Sequence, residues 1–184
     1  MTVRIISGER RGAHIDTPEG QETRPLRDRI RQALFNMLRP EIRESVVLDA
    51  FAGSGAVGLE AISNGAQRAV FVDQSPAAAD VIRRNVRRLR FEDRATVLQG
   101  SSPGIIAKLD PRHLPFTILF LMPPYLSNLC EPVLADAQLR SRLAPRCLAV
   151  CEIHGDEPPP AHAGWSVHDD RRYGITRLLT LVLD

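Results

Sequence analysis

The stretch VVLDAFAGSGAVGLEA combines three glycines and a carboxylate at a spacing typical of nucleotide-binding loops. Gly53, Gly55 and Gly58 satisfy the GxGxxG pattern between a strand-like run and a helical run, which is the context that the motif requires. Such glycines permit a tight turn and a close approach of the backbone to a ligand, and the N–H groups of the following helix face that ligand. The pattern alone fits a nicotinamide dinucleotide as well as S-adenosylmethionine.

Two carboxylates near this loop bear on the choice of ligand. Asp49 precedes the first glycine, where the pyrophosphate of a dinucleotide would meet a second anion, whereas the amino group and sulfonium of S-adenosylmethionine attract negative charge. Asp49 therefore favours S-adenosylmethionine, with capping of the turn as the alternative. Asp73 ends the next strand-like run, where a carboxylate binds the ribose hydroxyls of either ligand or caps the helix that follows.

A second loop begins where the apolar run FTILFLM meets PPYL. Pro123 and Pro124 stiffen the backbone and leave carbonyl oxygens as acceptors, and Tyr125 offers a flat face on which a base can stack. Met122 precedes them, and its thioether is at best a weak acceptor. We interpret this segment as a loop that holds a flat base.

The elements that must position these loops follow the alternation of an α/β protein. The pattern predicts an open, doubly wound, mostly parallel Rossmann-like sheet of seven strands. Its strands are residues 46–50, 69–73, 95–99, 116–122 and 147–153, with a closing pair near WSVHDD and TRLLTLVL. Because ligands bind beyond the carboxyl ends of strands in such sheets, we expect both loops to line one crevice.

Helices are predicted between the strands and ahead of them. Ser75 and Pro76 are the N-cap and first residue of one helix, and residues 129–143 are predicted to form another. Ahead of the sheet, the sequence predicts a hairpin that turns through residues 8–12 and then an amphipathic helix, with Arg27 and Arg31 on its polar face.

Composition narrows the class of protein. The 184 residues, 43% of them hydrophobic, suit one compact domain, and the chain shows neither a membrane-length apolar run nor a secretion signal, so we expect a soluble, cytoplasmic protein. The three cysteines form no CxxC pair, which argues against a zinc cluster and for burial. The net charge is +2, but Lys108 is the sole lysine, and arginine clusters suit contacts to RNA phosphates.

The motifs together resemble the RsmD family of 16S ribosomal RNA guanine-N2 methyltransferases, within the class I fold that uses S-adenosylmethionine. The resemblance is carried by RIISGERRG, TRPLRDRIRQALFN, LDAFAGSGAVGLEA, FVDQSPAAADVIRRN, MPPY and RRYGITRLL. It implies methyl transfer from S-adenosylmethionine to the exocyclic N2 of a guanine. In that family the proline loop usually begins with Asp or Asn, whose oxygen accepts one amine hydrogen while the next carbonyl accepts the other and the aromatic ring stacks on the base.

The resemblance also implies site residues, partners and a division of the chain. Residues 1–40 form an RNA-contacting hairpin and helix, and residues 41–184 the methyltransferase domain. The partner is 16S rRNA or an assembling small ribosomal subunit, without a metal or a membrane, and the protein is expected to be a monomer. The catalytic loop comprises Met122, Pro123, Pro124 and Tyr125; the cofactor site comprises Asp49, Phe51, Ala52, Gly53, Ser54, Gly55, Asp73, Gln74 and Ser101; and the RNA contacts are Arg10, Arg11, Arg24, Arg27, Arg29 and Arg31.

Two departures from the family pattern leave alternatives open. Met122 stands where the family has Asp or Asn, and loss of one preorganised hydrogen-bond partner commonly costs about two to three orders of magnitude in rate. Gly100 and Ser101 stand where related enzymes often have the Asp or Asn that binds adenine. The alternative is therefore an impaired homologue that binds cofactor and RNA, whereas a nicotinamide-dependent oxidoreductase rests on the glycine pattern alone.

Overall fold

The computed structural model describes residues 3–18, 28–110 and 115–184. A central sheet carries helices on both faces, and a small hairpin precedes it. In chain order the elements are β1 (Val3–Arg4), β2 (His14–Ile15), α1 (Asp28–Met37), β3 (Val46–Asp49), α2 (Ala56–Ser63), β4 (Arg68–Asp73), α3 (Pro76–Leu89), β5 (Ala95–Gln99), β6 (Phe116–Leu121), α4 (Cys130–Ala135), α5 (Ala137–Arg140), β7 (Leu143–His154), β8 (Trp165–Tyr173) and β9 (Thr176–Leu183), with short 3-10 helices at Glu92–Arg94 and Gly104–Lys108.

The sheet has seven strands in the order β5-β4-β3-β6-β7-β9-β8. Neighbours from β5 to β7 are parallel, and β9 runs antiparallel to both β7 and β8. This arrangement confirms the predicted doubly wound, mostly parallel sheet with a closing hairpin. The chain order reverses between β3 and β6, which is the switch point where open sheets of this kind bind ligands.

Alternating side chains build an apolar core on each face of the sheet, as expected of buried parallel strands. Val47, Ile118 and Phe120 point to the cluster that contains α1, α2 and α3. Leu48 and Leu119 point to the opposite cluster, which includes residues of α4 and α5. In the described part of the chain, none of the helices is long and apolar enough to span a bilayer.

Helix boundaries follow local capping signals in one case and depart from prediction in another. The Ser75 hydroxyl accepts a hydrogen bond from the Ala78 N–H at 3.3 Å at the start of α3, with Pro76 in the first helical position, as predicted. The single helix predicted over residues 129–143 is wrong. Asp136 separates α4 from α5, because its carboxylate caps the second helix by accepting from the Leu139 N–H at 2.6 Å.

The hairpin ahead of the sheet is confirmed, with Val3 paired to Ile15 in antiparallel β1 and β2. Its apolar residues Val3, Ile5 and Ile15 belong to the same buried cluster as α1 and α2. The hairpin is therefore packed onto the helical layer of the domain.

The structure contradicts the predicted exposure of Arg31. Its side chain is fully buried, with Nη2 donating to the Arg4 carbonyl at 2.5 Å and Nε 3.5 Å from the Glu60 carboxylate on α2. Burial lowers the pKa of Arg31. The Glu60 carboxylate also accepts the backbone N–H groups of Ile6 and Ser7 at 2.9 and 2.7 Å. Arg31 thus helps to hold the hairpin onto α2, and its assignment as an RNA contact is wrong because no part of its side chain reaches solvent.

Candidate functional site

The strand register brings the glycine loop and the proline loop to adjacent strand ends. In the parallel pair of β3 and β6, Asp49 lies opposite Phe120, and the Ala50 N–H donates to the Phe120 carbonyl at 3.0 Å. The segments that follow β3 and β6 therefore leave the sheet side by side at the switch point, one toward Gly53 and the other toward Pro123.

A tight turn held by Asp73 shapes the glycine loop. The Gly55 N–H donates to the Ala52 carbonyl at 2.7 Å, and Gly53 and Gly55 have φ values of 55° and 79°, a left-handed conformation that favours glycine. One oxygen of the Asp73 carboxylate accepts from the Gly53 N–H at 2.8 Å, and the other accepts from the Ser75 N–H at 2.9 Å. Asp73 thereby joins the loop to Ser75, the residue whose own hydroxyl caps α3, and its contact to a ribose stays a prediction.

Asp49 is a buried carboxylate with an unusual titration. Its side chain is 2% exposed, and one oxygen accepts the Gly58 N–H at 3.1 Å. Burial raises the pKa of Asp49 to about 7; the Gly58 hydrogen bond opposes this rise and the nearby charge of Asp73 adds to it. A cation placed against Asp49 would favour its ionised form.

The other predicted cofactor residues surround the ends of β3, β4 and β5. Ala52 and Ser54 are buried, Phe51 is half-buried against the core, and Gln74 and Ser101 are exposed. The Gly100 N–H donates to the Asp73 carbonyl at 2.9 Å, which holds the segment containing Ser101 beside Asp73.

Asn85 supports the glycine loop, a role that the sequence motifs do not predict. It is fully buried on α3, and its amide nitrogen donates to the carbonyls of Asp16 and Ser54 at 2.9 and 3.0 Å. Its amide oxygen accepts the Asp16 N–H at 2.9 Å. Asn85 therefore ties the N-terminal segment to the glycine loop, and only its polarity within an apolar helix face could have signalled this role.

The proline loop is anchored mainly through its tyrosine. The Tyr125 hydroxyl donates to the Glu152 carboxylate at 2.8 Å and lies 2.7 Å from the Thr176 hydroxyl. Pro123 is buried and Pro124 is exposed, while Met122 is half-buried against the apolar core. The predicted loop residues are thus brought together beyond β6, with no carboxylate or amide at position 122.

Ser127 and Asn128 follow Tyr125 and have polar side chains of the kind that could replace the missing acceptor. The Ser127 hydroxyl is buried and has no hydrogen-bond partner among the described residues. Asn128 is exposed and has a left-handed backbone with φ of 53°. Ser127 therefore points into the protein, and Asn128 is the more accessible of the two.

Among the predicted RNA contacts that the structure describes, two line one cleft and two, Arg10 and Arg31, are bound within the protein. Arg11 and Arg29 are exposed and line a cleft of about 710 Å³ between the hairpin and α1. Arg10 is half-buried, since its Nε donates to the Leu89 carbonyl at 2.8 Å. Arg24 and Arg27 lie outside the described residues. Within the described ranges, no group of three or more His, Cys, Asp or Glu side chains could hold a metal ion.

Comparisons with known proteins extend over nearly the whole chain. Residues 3–182 match the family described as "Conserved hypothetical protein 95". "Ribosomal RNA small subunit methyltransferase D" of Haemophilus influenzae is 33% identical over 175 residues, which is 94% of this chain and 90% of that protein. The protein of the same name from Escherichia coli K12 is 32% identical over 94% of this chain and 85% of its own length. The solved structure "Putative methyltransferase yhhF from Escherichia coli" is 31% identical to this chain. The match covers 100% of this chain and 99% of that chain, with a TM-score of 0.85.

Proposed function

The chain belongs to the RsmD family of ribosomal RNA small subunit methyltransferases, and from this premise we propose that it transfers a methyl group from S-adenosylmethionine to the exocyclic N2 of a guanine in 16S rRNA. The observation that carries this proposal is the register of β3 and β6, which sets Asp49 beside the strand that leads into Met122 and Pro123. A cofactor loop and a base-holding loop at neighbouring strand ends are what a methyl transfer between two bound molecules requires.

The residues around the glycine loop fit S-adenosylmethionine. S-adenosylmethionine supplies an electrophilic methyl group on a positively charged sulfur. Asp49 offers a buried carboxylate that gains a counter-charge from a cationic ligand, and Asp73 offers a half-exposed carboxylate to the ribose hydroxyls. The left-handed turn at Gly53 and Gly55 lets the backbone approach the ligand closely.

The proline loop would orient the guanine. The Pro123 carbonyl accepts a hydrogen from the exocyclic amine, and the Tyr125 ring stacks on the base, so that the nitrogen lone pair points at the methyl group. The nitrogen forms the new bond to carbon, the electrons of the sulfur–carbon bond remain on sulfur, and the nitrogen releases a proton to solvent. Catalysis then rests on orientation and on electrostatic complementarity.

Met122 favours a second candidate function. A thioether at this position cannot replace a carboxylate or amide oxygen as an acceptor for the amine. The second candidate is an impaired homologue that binds S-adenosylmethionine and RNA but transfers the methyl group inefficiently because of Met122. The active enzyme and the impaired homologue would share the cofactor site and differ in their rate of turnover.

One assay separates these candidates. The protein and a Met122→Asp variant are incubated with radiolabelled S-adenosylmethionine and small-subunit particles that lack the modification, and transfer to RNA is measured beside cofactor binding by calorimetry. Transfer by the unaltered protein excludes impairment. Cofactor binding without transfer, with a gain of roughly 100-fold or more in the variant, supports the impaired homologue. Absence of cofactor binding by both proteins refutes both candidates.

A control variant separates the position of the new carboxylate from its charge. Leu126 lies in the same loop and is 74% exposed, so Leu126→Asp adds an equal charge away from the acceptor position. We expect Leu126→Asp to leave transfer unchanged. A matching gain in both variants would show that charge in the loop, and not an acceptor at position 122, limits the reaction.

A further inference from the structure

The phenol of Tyr125 is held by two strands other than the one that precedes it. Glu152 lies near the end of β7 and accepts its hydrogen bond at 2.8 Å, and Thr176 begins β9 with its hydroxyl at 2.7 Å. Thr176 is buried. Edge-on contact with His154, at 5.6 Å between ring centroids and 71° between planes, restrains the ring from a third side.

The pairing of these strands makes the arrangement rigid. β7 lies between β6 and β9, and in the antiparallel pair of β7 and β9, Thr176 lies opposite His154 and Leu178 lies opposite Glu152. The two groups that contact the phenol thus come from ladder pairs two residues apart, which place their side chains on the same face of the sheet. They connect the proline loop directly to the YGITRL segment, which runs from the last residue of β8 through the turn into β9.

We propose that Glu152 and Thr176 are positioning residues that fix the ring plane of Tyr125 for the target base. This inference rests on the proposed function, in which Tyr125 stacks on the guanine. A tyrosine ring that rotates about its side-chain bonds presents its face only part of the time, whereas a phenol that both donates and accepts a hydrogen bond has one preferred direction. A base stacked on a fixed ring stays aligned with the methyl donor, and misplacement by about 1 Å costs on the order of 100-fold in rate.

The test is a double-mutant cycle on methyl transfer. Thr176→Val, Tyr125→Phe and the double variant are compared in the parent that transfers, which is the unaltered protein or Met122→Asp. We expect each single change to lower kcat by about 10- to 100-fold with an unchanged Kd for S-adenosylmethionine. We expect the double variant to be no slower than either single variant, because both changes break the same contact. A Glu152→Leu variant should behave like Thr176→Val.

Thr180→Val is the matched control, since Thr180 is a buried threonine on the same strand and contacts Met37. It should leave kcat unchanged. If Thr176→Val lowers the rate equally in the Tyr125→Phe background, or if Thr180→Val lowers it as much, Thr176 acts through general strand stability and the inference is overturned.

A measurement without turnover separates this inference from the proposed function. The chain has only two tyrosines, so 3-fluorotyrosine labelling gives two fluorine resonances that Tyr125→Phe assigns. We expect Thr176→Val and Glu152→Leu to shift and sharpen the Tyr125 resonance as its ring gains motion. An unchanged resonance overturns the positioning role even where the enzyme transfers methyl groups. If neither parent transfers, the proposed function fails and this resonance alone decides whether the two residues fix the ring.

Discussion

Replacement of Asp49 by asparagine should stabilise the fold and weaken cofactor binding. Asp49 is 2% exposed, and its pKa is raised from 3.8 to about 7 because burial disfavours the charged form. The asparagine amide would retain an oxygen that can accept the Gly58 N–H while removing the ionisable group. The variant therefore removes the free-energy cost of a buried charge together with the charge that attracts a cation.

The magnitude follows from the two pKa values. Because the pKa of Asp49 is higher in the folded state than in the unfolded state, folding is favoured most below about pH 3.8, where the carboxyl is protonated in both states. The free energy of unfolding then falls as the pH rises to about 7. At about 1.4 kcal/mol per pKa unit, it is lower than at acid pH by roughly 2 kcal/mol at about pH 5 and by roughly 4 kcal/mol at about pH 8. Relaxation around the carboxylate makes these figures upper bounds. Asp49→Asn should recover a part of each, with the larger part at the higher pH.

Urea denaturation at about pH 5 and pH 8 measures the first effect, and calorimetric titration with S-adenosylmethionine measures the second. Loss of a hydrogen bond to a charged group is worth about 1.5–3 kcal/mol, so affinity at about pH 8 should fall by roughly 10- to 100-fold. In the unaltered protein, affinity should rise between about pH 6 and pH 8 as Asp49 ionises. In the variant it should not.

Asp93→Asn is the matched control because Asp93 is exposed in the 3-10 helix after α3. It should change neither stability nor affinity. If Asp49→Asn is no more stable than the unaltered protein at about pH 8, or if its gain in stability is the same at both pH values, then Asp49 does not destabilise the fold as a buried charge. Unchanged affinity at about pH 8 would separately remove Asp49 from the cofactor site.

Two further substitutions test the supports of the glycine loop. Asn85→Leu leaves the N–H and carbonyl of Asp16 and the carbonyl of Ser54 without their partner. We therefore expect the free energy of unfolding, measured in urea, to fall by about 3 kcal/mol or more, together with weaker cofactor binding. Equal stability would show that Asn85 does not hold the N-terminal segment. Gly58→Ala would place a Cβ 2.3 Å from Cε1 of Phe71, which predicts a loss of about 1–3 kcal/mol in thermal denaturation, whereas Gly104→Ala, with open space around it, should be neutral.

Much of the fold was predictable because its signals are local. Ser75 and Pro76 specify the start of α3, and the run of apolar residues in β6 specifies a strand buried on both faces. The glycine pattern and Asp49 required only that a turn follow a strand. These features depend on residues within a few positions of one another, so the sequence displays them directly.

The features that were missed depend on partners far along the chain. The helical spacing places Arg31 on the polar face of α1. In the fold it is buried, because Glu60 on another helix supplies its counter-charge. The break at Asp136 was hidden because Asp can also occupy a helix interior or its cap. No pattern linked Tyr125 to Glu152 or Thr176, which lie 27 and 51 positions later. Such contacts follow from strand order, which the sequence does not display.

The contacts of the hairpin also constrain the order in which a growing chain can fold. Ile6 binds Glu60 across 54 positions, Asp16 binds Asn85 across 69, and Arg10 binds the Leu89 carbonyl across 79. The hairpin can pair β1 with β2 and contact α1 early, but its hydrogen bonds to α2 and α3 form only after roughly the first 90 residues of the printed sequence have been synthesised. A hairpin that can form locally therefore reaches its final position on the domain only through contacts that form later in synthesis.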